Sequence, residues 1–178
     1  MLRHLDVVLS VKSVVRNLFI VMGVSGCGKS SIARALAQAH GGLYLDADDF
    51  HPASNKAKMA QGIPLTDEDR WPWLDILRGE LATGAASGKP FFLACSALKQ
   101  KYRDYLSEGQ EGLRFVYLKG SFELIRDRMA ARKDHFMPVK LLESQFAALE
   151  EPLDAIVLDI ARPVDELVSV FSEKFKKP

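Results

Sequence analysis

The residues Gly23-Val24-Ser25-Gly26-Cys27-Gly28-Lys29-Ser30 fit the pattern G-x-x-x-x-G-K-[ST], whose chemistry is the holding of phosphate. Glycines at 23, 26 and 28 let successive backbone N–H groups converge on an anion with no Cβ in the way. A helix opening at the end of the loop, from Ser31, adds unpaired N–H donors and the positive end of its dipole. Lys29 is spaced to reach the β- and γ-phosphates of a nucleotide, and the Ser30 hydroxyl to ligate Mg²⁺. The pattern gains force from its flanks. Leu18-Phe19-Ile20-Val21-Met22 is an unbroken apolar run suited to a buried parallel strand. Ser31 to Ala39 is rich in helix formers and is closed by Gly41-Gly42.

Carboxylates follow at the end of the next apolar run. Asp46 and Asp48 share a face if the strand continues that far. One of them can hold Mg²⁺, which takes few carboxylates and several waters. The other can accept the proton of a hydroxyl attacking a γ-phosphate. A solvated acidic turn is the plainer alternative. The run Phe91 to Cys95 ends in Ser96-Ala97 and carries no aspartate for a metal, which moves that role to Asp46 and puts Ser96 and Ala97 beside the ligand as hydroxyl or backbone donors.

Cations come next. Arg70, in Asp67-Glu68-Asp69-Arg70-Trp71-Pro72-Trp73, can grip a substrate carboxylate through both guanidinium arms, or can pair with Asp67 or Asp69 and lock the turn. Lys99, Lys101 and Arg103 form a basic helix start that meets either an anionic substrate or solvent. Arg128 and Arg132 lie four apart on one helix face, the placement for cations over a transferring phosphoryl group on a mobile lid, about residues 126–138. His135 in that stretch reads as a lid residue and not as the base, because Asp48 already supplies one. Arg162, after the last strand-like run, falls by topology at the adenine pocket. Trp71 and Trp73 read as packing residues.

The elements that must position these groups alternate along the chain. Strand-like runs are Leu18–Met22, Leu43–Leu45, Phe91–Cys95, Leu113–Leu118 and Ala155–Asp159. Helical patterns are Ser31–Ala39, Trp73–Ala82, Lys99–Leu106, Phe122–Ala131, Leu141–Leu149 and Val164–Phe175. This alternation predicts an α/β fold, a five-stranded parallel sheet with helices on both faces, whose ligands sit at the carboxyl ends of the strands. At 178 residues the chain is expected to be a single domain over 18–178, preceded by a segment 1–17 read as an extra edge strand or a start-site artefact more readily than a transit peptide.

Bulk numbers exclude other classes. With 24 Lys+Arg against 23 Asp+Glu the net charge is +1, and no basic stripe with interleaved aromatics appears, so nucleic acid is not an expected partner. No apolar run reaches the length of a membrane span. Two cysteines, Cys27 and Cys95, have no metal-like spacing and do not make a disulfide scaffold, so a reducing cytoplasm is the expected compartment.

Taken together, the chain from about Leu18 onward resembles the gluconate kinases, small P-loop kinases related to shikimate and adenylate kinases. The segments that carry the resemblance are Met22 to Ser30, Asp46-Ala47-Asp48, His51-Pro52 with Asn55 and Lys58-Met59, Asp67 with Asp69-Arg70 and Pro72-Trp73-Leu74, Ala94-Cys95-Ser96-Ala97-Leu98-Lys99, Tyr102-Arg103-Asp104, Tyr117-Leu118-Lys119-Gly120, Arg132 with His135-Phe136, and Gln145-Phe146 with Leu149-Glu150. The phosphate loop is generic; the Cys-Ser-Ala-Leu-Lys and Asp-x-Asp-Arg segments are far more particular. The resemblance implies ATP and Mg²⁺ as cofactors and transfer of the γ-phosphate to the 6-hydroxyl of D-gluconate, at the entrance to the pentose phosphate pathway. It implies nucleotide contacts from Gly23 to Ser31, Asp48 as base, His51, Arg70, Ser96, Ala97, Lys99, Arg103 and His135 around the substrate, Arg128 and Arg132 as lid cations, and a possible homodimer. Asp134 departs from the family, which usually has glycine before the histidine. The same phosphate loop and Asp-x-Asp pair would serve a kinase for another sugar acid or shikimate. A regulator that holds ATP without turnover has no need of a base or of transition-state cations.

Overall fold

A computed structural model describes residues 17–131 and 139–175. The expectations placed on residues 1–16, on Arg132, Asp134 and His135 and on most of the lid stretch therefore lie outside the described residues.

The chain runs β1 (Leu18–Met22), α1 (Lys29–Ala39), β2 (Leu43–Asp46), a 3-10 turn (Ala47–Phe50), α2 (Ala53–Ala60), α3 (Asp67–Ala86), β3 (Phe91–Ala94), α4 (Gln100–Ser107), β4 (Leu113–Lys119), α5 (Phe122–Ala130), α6 (Val139–Ala148), β5 (Ala155–Asp159) and α7 (Val164–Phe175). Five parallel strands pair in the order β2-β3-β1-β4-β5. This is the expected α/β architecture. β1, the most apolar run, is central and wholly buried, as a strand covered on both faces must be.

Alternation along β1 divides the core into two layers. Phe19 and Val21 face α1, α5, α6 and α7 with Phe92, Val116, Leu118 and Phe171. Leu18, Ile20 and Met22 face α3 and α4 with Trp73, Leu77, Leu81, Leu93 and Leu106. In-register Phe19 and Phe92 stack at 4.9 Å, and Phe171 closes edge-on at 5.1 Å. Because the chain leaves β1 for β2 but leaves β3 for β4, the loops after β1 and β3 diverge and open a crevice at the carboxyl end of the sheet. Their roots stay joined by Cys95 N–H to the Val21 carbonyl at 3.0 Å and Gly23 N–H to the Ser96 carbonyl at 3.3 Å.

Three local outcomes differ from the sequence reading. The second strand stops at Asp46, and a 3-10 turn replaces its continuation through Asp48. α2 appears where no apolar stripe announced it; Asn55 is its buried residue. α3 begins at Asp67, six residues before Trp73, because Thr66 and Asp69 form a reciprocal capping box (Asp69 N–H to Thr66 Oγ1 at 3.3 Å, Thr66 N–H to Asp69 Oδ2 at 2.9 Å). Pro72 lies inside this helix. It removes one helix hydrogen bond, a loss that the cap and the burial of Trp73, Leu74 and Leu77 outweigh.

Gly84 tests the fit of α3 against the sheet. A Cβ there would lie 2.5–2.7 Å from three ring atoms of buried Phe91. Alanine gains about 1 kcal/mol of helix propensity over glycine, whereas overpacking a closed core costs about 1–3 kcal/mol. Gly84→Ala is therefore expected to lower the denaturation midpoint, read by urea unfolding; an unchanged or higher midpoint would show that α3 can move off the sheet.

Candidate active site

The glycine-rich loop turns at Gly26 (φ 79°) and at Gly28 (φ 96°), which is also the cap of α1. Both lie in the left-handed region that side chains with a Cβ avoid. At Gly26 space is also lacking: a Cβ would meet Met129 Cγ at 2.5 Å, so α5 lies directly on the loop. Val24 and Cys27 are buried and anchor the loop to the core. Lys29 Nζ donates to the Val24 carbonyl at 3.1 Å, and Ser25 N–H donates to Oε1 of Gln145 at 2.6 Å.

The Asp46 carboxylate joins the loop to the turn that follows β2. Its Oδ2 accepts from Ser30 Oγ at 2.5 Å and from Tyr44 OH at 3.0 Å, while Oδ1 accepts from Asp48 N–H at 3.1 Å. Asp46 is in register with Ala94 of β3, so it stands one strand away from the aspartate-free end noted in the sequence. Ser30 Oγ and Asp46 form a hard oxygen pair of the kind Mg²⁺ takes alongside waters, and the chemistry of the donors fits that ion.

Asp48 projects from the 3-10 turn, not from a strand face shared with Asp46. Its side chain is 80% exposed at this turn. Loss of solvation there holds its carboxyl above the ordinary 3.8, with Lys29 opposing and Asp46 and Asp49 adding. A carboxyl whose pKa is raised is a better proton acceptor than an ordinary one. His51 Nε2 lies 3.8 Å from Asp48 Oδ1. The imidazole is buried, stacked on Trp73 at 4.1 Å and 13°, with Asn55 Nδ2 3.5 Å from its Nδ1. Burial, then Arg70 and Lys56, lower its pKa from 6.5 to about 4, so it is neutral at pH 7.

The candidate cations fare differently. Arg70 donates to the carbonyls of Leu65 and Thr66 and lies 5.6 Å from the Tyr102 ring; it makes no ion pair among the described residues, so neither Asp67 nor Asp69 is its partner. Asp69 takes Lys58 at 2.7 and 2.8 Å. Asp67 takes Lys101, Tyr102 and, at 3.2 Å, Lys99, which hold its carboxyl well below the usual range, Lys101 foremost. Arg103, expected at the substrate, instead turns inward. It is buried, and its guanidinium donates to the carbonyls of Ala97 (2.9 Å) and Leu98 (3.0 Å) and to Gln100 Oε1 (2.7 Å). Arg128 donates to the Ile160 carbonyl at 2.7 Å, so here it secures the loop after β5 beside exposed Arg162. Arg132 and His135 lie outside the described residues. Ser96 is half-buried at the crevice, Ala97 is buried with φ 42°, and Ser31 is exposed on the first turn of α1.

Two contributors escaped the sequence reading. Tyr44 steadies the Asp46 carboxylate, and the period-two spacing of Tyr44 and Asp46 on β2 was a usable signal. Trp73 did read as packing, but its Nε1–H also holds the Ala47 carbonyl at 2.8 Å and so pins the Asp48 turn from 26 residues away. No local pattern announces that contact. The assembled groups can cradle a polyphosphate, hold a hard cation and deprotonate a hydroxyl.

Known proteins are similar to this chain over most of its length. A family model described as an AAA domain matches residues 18–155. Thermoresistant gluconokinase of Escherichia coli (strain K12) is 42% identical over 165 residues, covering 90% of this chain and 94% of that protein. Thermosensitive gluconokinase of the same strain is 48% identical over 134 residues, covering 75% and 72%. The crystal structure of a gluconokinase from Sinorhizobium meliloti 1021 superposes with a TM-score of 0.79 at 40% identity, covering 92% of this chain and 99% of that one.

The lowered pKa of His51 has a consequence for stability. The unfolded ring takes a proton near 6.5 and the folded ring only near 4, so its contribution is present above pH 6.5 and is lost as pH falls toward 4. His51→Gln is expected to flatten the stability profile between those values, measured by urea unfolding across pH; an unchanged slope would remove His51 as the source.

Proposed function

The chain belongs to the gluconokinase family, and we infer that it transfers the γ-phosphoryl group of ATP to the 6-hydroxyl of D-gluconate, giving 6-phospho-D-gluconate and ADP. The observation that carries this reading is the convergence of Lys29, Ser30, Asp46 and Asp48 at the carboxyl end of the sheet, through the Ser30–Asp46 and Asp48–Asp46 hydrogen bonds.

In this reading the backbone of Gly23 to Ser31 and the Lys29 ammonium hold the phosphates, and Arg162 borders the adenine. Ser30 and Asp46 hold Mg²⁺, which when bound neutralises charge on the β- and γ-oxygens. Asp48 accepts the proton of the 6-hydroxyl as that oxygen bonds to the γ-phosphorus; the bond to the β–γ bridging oxygen breaks and its electron pair leaves with ADP. His51 stays neutral beside the Asp48 carboxyl. Arg70 and Lys99, with Ser96 and the Ala97 backbone, meet the carboxylate and hydroxyls of the sugar acid. Arg128 and Arg132 serve as the cations over the phosphoryl group, and His135 serves as a substrate contact. Arg103 acts through the loop it holds. A cytoplasmic homodimer acting at the pentose phosphate pathway belongs to the same reading; among the described residues no helix is long and apolar enough to cross a membrane.

Release of ADP from Mg²⁺-ATP across a panel of D-gluconate, other sugar acids, shikimate, nucleoside monophosphates and no acceptor tests the reaction. Turnover is expected with D-gluconate, and its absence there with turnover on another acceptor would reassign the substrate. Asp48→Asn is expected to lower kcat by about 10²-fold or more, the range for a lost general base, while ATP still binds. Retained turnover would remove Asp48 as the base.

A further inference from the structure

One contact to the phosphate loop comes from far along the chain and takes no part in the roles above. Ser25 N–H donates to the side-chain carbonyl of Gln145 at 2.6 Å, across 120 residues of sequence. Ser25 is the third residue of the loop, on the shoulder just before the left-handed turn at Gly26. A peptide next to such a turn can rotate with little steric resistance, and rotation would disturb the neighbouring N–H groups that converge on a bound anion.

The acceptor is itself held firmly. Leu142 of α6 is buried in the core, and Phe146 meets Phe122 of α5 edge-on at 5.5 Å and 70°. Just beyond α6, Glu150 N–H donates to the Leu98 carbonyl at 2.9 Å, and Glu150 Oε2 accepts from Gln100 N–H at 2.5 Å. α6 is thus tied to the loop after β3 as well as to the core. From the other side α5 sets Met129 and Ile125 against Gly26. The Ser25–Gly26 shoulder is held between an amide on one helix and a thioether on the other.

We propose that Gln145 is a positioning residue of the phosphate loop, whose amide oxygen fixes the Ser25 peptide so that the loop's donors are set before a nucleotide arrives. The inference rests on the phosphate-loop reading and not on the identity of the acceptor. The residue type follows from the electrostatics. A neutral amide accepts the hydrogen bond without bringing negative charge toward the phosphates, whereas a carboxylate would hold Ser25 more tightly and repel the ligand.

Two variants of the full chain test this, read by amide exchange at Ser25, calorimetric binding of Mg²⁺-ADP and the split between KM for ATP and kcat. Gln145→Met keeps length and packing but removes the acceptor. It is expected to speed exchange at Ser25 and to weaken nucleotide binding about fivefold, the scale of one neutral hydrogen bond, with KM for ATP raised more than kcat is lowered. Gln145→Glu is expected to keep Ser25 protected yet weaken Mg²⁺-ADP binding at low salt, with the loss shrinking as salt screens the repulsion. Unchanged exchange and affinity in Gln145→Met would overturn the proposal, as would a fall in thermal midpoint and kcat with KM for ATP unmoved. ADP binding and exchange need no acceptor, so a failure of gluconate turnover is distinguishable from a failure here.

Discussion

The carboxylate of Asp46 is the junction on which the site depends. It ends β2, caps the 3-10 turn through Asp48 N–H, and receives the Ser30 hydroxyl from the start of α1. One group therefore couples the phosphate loop, which follows β1, to the turn that carries the candidate base. α1 reaches Asp46 because the β1-to-β2 crossover passes over β3, which lies between them. Tyr44 supports the same oxygen, so both carboxylate oxygens are engaged and the carboxylate is held in one orientation. Outer contacts of this kind are how proteins aim a ligand oxygen at a cation.

Around this junction the turn from Ala47 to Phe50 is held from outside and not by its own few residues. Trp73 bonds the Ala47 carbonyl and stacks on His51. Asn55 bonds the Asp69 carbonyl at 2.7 Å, and Lys58 pairs with Asp69. α2 and α3 form a braced arm whose inner edge presents His51 and Asp48. The arrangement holds the Asp48 carboxyl beside the phosphate loop, exposed and with its pKa raised above the ordinary 3.8.

The loop after β3 shows the same division of labour. Ala97 sits in a left-handed conformation without being glycine (φ 42°), a state that persists only where neighbours enforce it. Arg103 enforces it by gripping the Ala97 and Leu98 carbonyls from inside. A cation that sequence assigns to a ligand thus stabilises backbone, and Lys99, two residues past Ala97, is left at the crevice paired with Asp67.

What the sequence determined by itself was whatever rests on short-range pattern. The phosphate loop, the five strand-like runs, the parallel α/β class and the carboxylates at the second strand's end are written in contiguous residues, because steric freedom at glycine, apolar runs and helix propensity act locally. The helix start at Thr66 is equally local, since its capping box lies within four consecutive residues. Other features were decided only by tertiary structure. The inward turn of Arg103, the Trp73 bond to Ala47, the clamp of Gln145 on Ser25 and the release of Arg70 from both neighbouring aspartates depend on which elements the sheet order brings together. A guanidinium or an amide will bond whichever carbonyl or N–H lies within about 3 Å, and only the folded chain sets which group that is.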